Sequence, residues 1–166
     1  RGGGLFGQRK GPTFRAVDDV SFSIPRGECF GLVGESGCGK TTLSKVIMRA
    51  LEPDSGEVLF NDRGTMVDVV RAGPEALMRF RRRVQYIFQD PFGSLSPRMT
   101  VFDILREPLV IHQVGDADYR AEMAKELMRL VGLDPRFLNR YPHSFSGGQR
   151  QRIGIARALA LKPDLV

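Results

Sequence analysis

Tryptophan is absent, and the 166 residues hold only two cysteines, Cys29 and Cys38. Two thiols cannot make a disulfide framework and are not paired as a metal knuckle, which fits a reducing compartment. A run of about 18 apolar residues, the minimum for a bilayer span, is also missing. The chain is therefore expected to be soluble or to be held at a membrane by a partner. Residues 1–10 are basic and glycine-rich but have no apolar core of signal-peptide length, so nothing marks the chain for secretion and a cytoplasmic location is expected. Acidic residues are outnumbered, leaving a net charge of +6. The densest basic cluster, Arg79 with Arg81, Arg82 and Arg83, lacks interleaved aromatics, so it reads as a solvated or subunit-facing surface, and nucleic acid is not expected as a partner.

What is present is ordinary for one globular domain: 42% hydrophobic and 27% charged residues in a chain long enough for a single core. Partial alternation over 16–24 (Val17, Val20, Phe22, Ile24) predicts a strand with one buried face, and the apolar run 29–33 predicts a buried parallel strand. A helix is expected over about 40–51, a strand over 57–60, a polar excursion over 61–73, a helix over about 74–82 and a core strand over 84–88. Helical spacing then predicts segments near 101–113, 118–131 and 146–161, so a helical insertion follows a sheet. No internal repeat is visible.

Gly34-Glu35-Ser36-Gly37-Cys38-Gly39-Lys40-Thr41, followed by Thr42, fills every fixed position of a phosphate loop and lies between a predicted strand and a helix. The glycines allow backbone N–H groups to turn inward around a phosphate, the helix adds its positive end, and Lys40 reaches the β and γ oxygens. The Thr41 hydroxyl suits Mg2+. A plain strand-to-helix turn would not need all of these positions filled. Cys38 reads as a small filler rather than a redox group.

The loop alone permits kinases, GTPases and motor ATPases. Two later segments narrow the choice. Ser146-Gly147-Gly148-Gln149 opens a helix with a hydroxyl and free N–H groups, a second anion-binding start. Gln89, directly after the core strand, is a neutral side chain able to coordinate Mg2+ or orient water.

In this order and spacing the chain resembles the ABC ATPase family over nearly its whole length. The resemblance implies an α/β phosphate-loop NTPase fold, an ABC nucleotide-binding domain with an antiparallel β subdomain and an α-helical signature subdomain. About 1–90 would form the ATP-binding core and β subdomain, about 91–160 the helical subdomain, and 161–166 the start of the Walker B strand. Residues 34–42 would bind ATP, with Thr41 and Gln89 on Mg2+ and Gln89 in a catalytic, γ-phosphate-sensing role. Ser146, Gly147, Gly148 and Gln149 would contact the nucleotide of the opposite subunit in a head-to-tail dimer. Phe145 stands where the family most often has Leu. An adenine-stacking aromatic is expected near the N-terminus, with Phe6 and Phe14 as candidates.

Ala16-Val17-Asp18-Asp19-Val20-Ser21-Phe22, Gly31-Leu32-Val33-Gly34-Glu35-Ser36-Gly37, Phe88-Gln89-Asp90-Pro91-Phe92-Gly93-Ser94-Leu95-Ser96-Pro97-Arg98-Met99 and Tyr141-Pro142-His143-Ser144-Phe145 look like the oligopeptide/dipeptide importer branch, and Gln89-Asp90-Pro91 with Ser96-Pro97-Arg98 looks like the second of its two ATPase subunits. That implies a second ABC ATPase subunit, membrane permease subunits and a separate solute-binding protein as partners, and a peripheral place on the cytoplasmic face of the inner membrane. Pro91, Phe92, Leu95 and Pro97 would supply apolar groups to a docking loop. The alternative is a soluble ABC ATPase acting on nucleic acid or ribosomes. The Walker B Asp, the Glu base and the switch His of the family lie beyond Val166, so residues 1–166 alone are expected to be a fragment that does not turn over ATP.

Overall fold

The computed structural model of the chain describes residues 15–90 and 93–166. They fall into two compact units, one running to Gly56 and the other from Glu57 to Val166.

In the first unit the regular element among the described residues is α1, Lys40–Ile47. It stops short of the expected residue 51 because Arg49 turns left-handed (φ 49°) and the Ala50 N–H donates back to the Lys45 carbonyl at 2.8 Å. The strands expected over 16–24 and 29–33 are not assigned as strands. Val20, Phe22, Ile24, Phe30, Leu32 and Val33 are exposed, with the rings of Phe22 and Phe30 stacked 4.8 Å apart. Alternation marks which side of a segment could be buried. A strand exists only when a neighbouring backbone completes its ladder.

The second unit opens with an antiparallel hairpin, β1 (Leu59–Asp62) and β2 (Thr65–Asp68), registered from Leu59 opposite Asp68 to Asp62 opposite Thr65. Its second strand lies inside the segment expected to be a polar excursion. Arg63 and Gly64 form the two-residue turn with φ of 55° and 97°, the doubly left-handed conformation that matches strand twist. The Asn61 side chain accepts from the Gly64 N–H at 2.7 Å. α2, Pro74–Arg83, begins on Pro74 at its first position and buries Phe80, which meets Phe60 of β1 edge-on at 5.3 Å. Of the strand expected over 84–88, one parallel bridge forms, Val84 with Leu165.

α3 (Val101–Ile111), α4 (Ala117–Leu130) and α5 (Gly147–Leu159) pack around a shared core. Ile104, Leu105, Leu109, Met128 and Ile153 are fully buried in it. Their i, i+4 spacing on α3 gives one apolar stripe, which explains why three short helices stay folded where each alone would be marginal. Helix ends are satisfied by their own caps and by neighbouring segments. Thr100 caps α3 by accepting from the Asp103 N–H, while the N–H groups of Val101 and Phe102 donate to the carbonyls of Arg140 and Leu138. Asp116 caps α4. At the other end of α4, Gly132 adopts φ 68° and Arg152 of α5 donates to the carbonyls of Val131 and Gly132.

Candidate functional site

The loop over 34–41 closes on its own lysine. The Lys40 ammonium donates to the carbonyl oxygens of Gly34 at 2.7 Å and Glu35 at 2.6 Å, and lies 3.5 Å from the Cys38 sulfur. The Cys38 N–H donates to the Glu35 carbonyl at 3.3 Å. Left-handed backbone requires glycine at Gly37 (φ 84°) and Gly39. Gly39 is left-handed (φ 94°), and a Cβ there would collide with the Ala16 carbonyl oxygen. A Cβ on Gly34 would fall 2.6 Å from the Cys38 sulfur. The cradle is thus one that a side chain would fill, as close approach of backbone to a phosphate requires.

Gly39 is also the N-cap of α1 and offers no side chain to it. The first-turn N–H groups, with the positive end of the helix, are therefore directed at whatever anion the loop holds. Thr41 is exposed at the second helical position and Thr42 is half-buried. An exposed hydroxyl one residue past the lysine is a hard oxygen donor suited to Mg2+.

α5 begins differently. Ser146 and Gln149 form a reciprocal capping box: the Gln149 N–H donates to Ser146 Oγ at 3.3 Å, and the Ser146 N–H donates to Gln149 Oε1 at 2.9 Å. Gly147 and Gly148 occupy the two positions between, and a Cβ on Gly148 would meet nothing within 4 Å, so the approach to these N–H groups is open. Arg150 braces the turn before the helix, donating to the carbonyls of Phe145 at 3.0 Å and His143 at 3.3 Å.

Gln89 is exposed at a bend. The chain just past it is fastened to α5, since Leu95 is buried in the same cluster as Ile153 and Ala156 and Arg157 donates to the Ser94 carbonyl at 3.1 Å. Leu95, expected on a docking loop, is therefore a core residue. Pro97 is exposed, while Pro91 and Phe92, like Phe6 and Phe14, lie outside the described residues. Residues 34–42 are assembled in the first unit, and Gln89 with Ser146–Gln149 in the second. Missed by sequence reasoning was Arg157, whose helical spacing gave no hint of a backbone acceptor 63 residues away.

A glycine cradle closed by a lysine at a helix start defines a phosphate-loop nucleotide-binding protein. Residues 17–166 match the ABC transporter family, and the chain belongs to it. A putative peptide import ATP-binding protein of Brucella ovis is 51% identical over 159 residues, covering 96% of this chain and 49% of that protein. The oligopeptide transport ATP-binding protein OppF of Bacillus subtilis is 52% identical over 155 residues, covering 93% and 50%. The chain thus spans about half the length of the curated relatives it matches. Among solved structures, the dimeric ABC transporter cassette MJ0796 superposes with a TM-score of 0.77 at 32% identity, covering 89% of this chain and 62% of the other. The same cassette in a post-hydrolysis state bound to ADP and Pi gives 0.76 at 32% identity, with the same coverage. The fold is accordingly the α/β phosphate-loop fold of ABC ATPases, with the β1–β2 hairpin as its antiparallel part here.

Proposed function

We propose that the chain is the nucleotide-binding part of an ATP-hydrolysing subunit that drives peptide import by an ABC transporter. The observation that carries this reading is the Lys40 ammonium held over the carbonyls of Gly34 and Glu35, inside a glycine cradle at the start of α1. The names of the relatives support the peptide cargo class. ATP with Mg2+ would supply binding energy and a hydrolysable phosphoanhydride.

Residues 34–42 would bind it: backbone N–H groups of the loop would donate to the β-phosphate oxygens, Lys40 would neutralise the β and γ oxygens, and Thr41 Oγ1 would hold the metal. Gln89 would add a second neutral oxygen toward the metal and orient water. Ser146, Gly147, Gly148 and Gln149 would face the γ-phosphate bound by a second ABC ATPase subunit, as the dimeric state of the MJ0796 cassette supports. The ATP-binding core and β subdomain over about 1–90 and the helical subdomain over about 91–160 belong to the same proposal. No helix among the described residues is long and apolar enough to cross a membrane. The subunit would act peripherally, at the cytoplasmic face of the membrane, on permease subunits supplied with peptide by a solute-binding protein.

Lys40→Ala tests the reading. It removes the one ammonium in the cradle and is expected to weaken binding of a fluorescent ATP analogue by about a hundredfold or more. Equal affinity in parent and variant would refute the assignment of the phosphate site.

A further inference from the structure

Arg83 ends α2 and stands immediately before Val84, the first residue of the segment leading to Gln89. Its guanidinium is held from two directions. Nη1 donates to Asp164 Oδ2 at 3.0 Å, and Nη2 lies 3.8 Å from Asp62 Oδ1 at the end of β1. Its carbonyl accepts from the Asp164 N–H at 2.7 Å and the Leu165 N–H at 3.2 Å. One step on, Val84 bridges Leu165 and the Gln85 N–H donates to the Leu165 carbonyl at 3.0 Å. The Arg83 side chain is only 20% exposed, whereas Arg81 and Arg82 on the same turn are exposed residues. Arg83 is not one more member of a solvated basic cluster.

From this clasp we infer that Arg83 is a positioning residue for Gln89. It grips Asp164 with side chain and main chain at once, and so pins the register of 84–89 against 164–165. A slip of one residue between these segments reverses the face on which every following side chain emerges. Gln89, five residues after Val84, would then point away from its ligand. The contact to Asp62 ties the same pin to the hairpin. The inference rests on the metal and water role proposed for Gln89.

The test uses the full-length protein and two readouts, steady-state ATP turnover and hydrogen exchange of the Gln85 amide. Arg83→Met keeps the aliphatic stem but removes the charge. It is expected to lower kcat about tenfold, leave KM for ATP within about twofold because residues 34–42 are untouched, and speed exchange at Gln85. Arg83→Lys, which keeps one charged donor, should recover most of the loss. Equal impairment of the Met and Lys variants would overturn the inference, since bulk alone would then matter. Should Arg83→Met not fold, Asp164→Asn loosens the grip from its other end and must show the same split. Loss of turnover in Gln89→Ala combined with normal turnover in both Arg83→Met and Asp164→Asn would overturn the register pin alone. Normal turnover in Gln89→Ala would instead overturn the role of Gln89 itself.

Discussion

Leu105 and Leu32 are the same residue in two settings: Leu105 is wholly buried among three helices, whereas Leu32 is 44% exposed just ahead of the phosphate loop. The contrast holds for the regions around them. From Glu57 onward, α3, α4 and α5 bring an apolar core with them, because each helix satisfies its own backbone and needs only side-chain contacts from its neighbours. Up to Gly56, the apolar residues of 16–24 and 29–33 would need flanking strands before they could be buried at all. Yet the loop over 34–41 is fully shaped. Left-handed glycines and the two carbonyl acceptors of Lys40 are local causes, so a binding loop can be well formed on a part of the chain that buries little.

That contrast makes measurable claims. The largest effect expected is at Leu105: Leu105→Ala should cost about 2–5 kcal/mol of unfolding free energy, through lost transfer energy and a residual cavity. In residues 1–166, Leu32→Ala should change it by no more than about 0.5 kcal/mol. Denaturant unfolding of both variants decides the point, and equal losses would break the comparison. A smaller effect is expected at Thr100, whose hydroxyl accepts from the Asp103 N–H at 3.2 Å and donates to the Asp103 carboxylate at 2.7 Å. Thr100→Ala should cost about 1 kcal/mol by removing the α3 cap. The same measurement after Thr100→Ser should restore most of it.

The smallest effect expected is a pH dependence in the second region, at His112. Burial at the end of α3, and then the nearby Arg82 guanidinium, push the His112 pKa below the ordinary 6.5. The folded form therefore binds this proton less readily than the unfolded chain. The stabilising contribution is fully present above about pH 6.5 and declines as pH falls below it. Comparing stability at pH 8 and pH 5.5 in parent and His112→Gln checks the sign. A parent that became relatively more stable on acidification would contradict it.

The parts of the molecule legible in the sequence are those with short-range causes. The shape of the loop over 34–41 follows from its own glycines and lysine, and the start of α5 from Ser146 with Gln149 three places on, both local devices. The three later helices followed from apolar spacing. The first strand of the hairpin lies close to the strand expected over 57–60, but β2 was missed because its turn, Asn61-Asp62-Arg63-Gly64, opens a polar stretch that resembles a loop. Leu95 was misassigned because prolines and serines surround it, while its burial comes from α5 more than fifty residues away. From sequence, Arg83 reads as part of a solvated or subunit-facing basic cluster, since nothing in local order reveals that Asp164 returns to meet it.

The capping box at Ser146 has a consequence in the direction of its protons. The hydroxyl receives one proton, from the Gln149 N–H, and still owns another that the helix does not use. That second proton is free to be given outward. Receiving on one side and giving on the other are mutually polarising, so an acceptor in front of Ser146 would tighten the cap rather than compete with it. Aspartate caps a helix about as well, but it has only lone pairs to present on both sides. Ser146 thus sets a one-way sequence of donors running from the backbone of α5 out toward solvent.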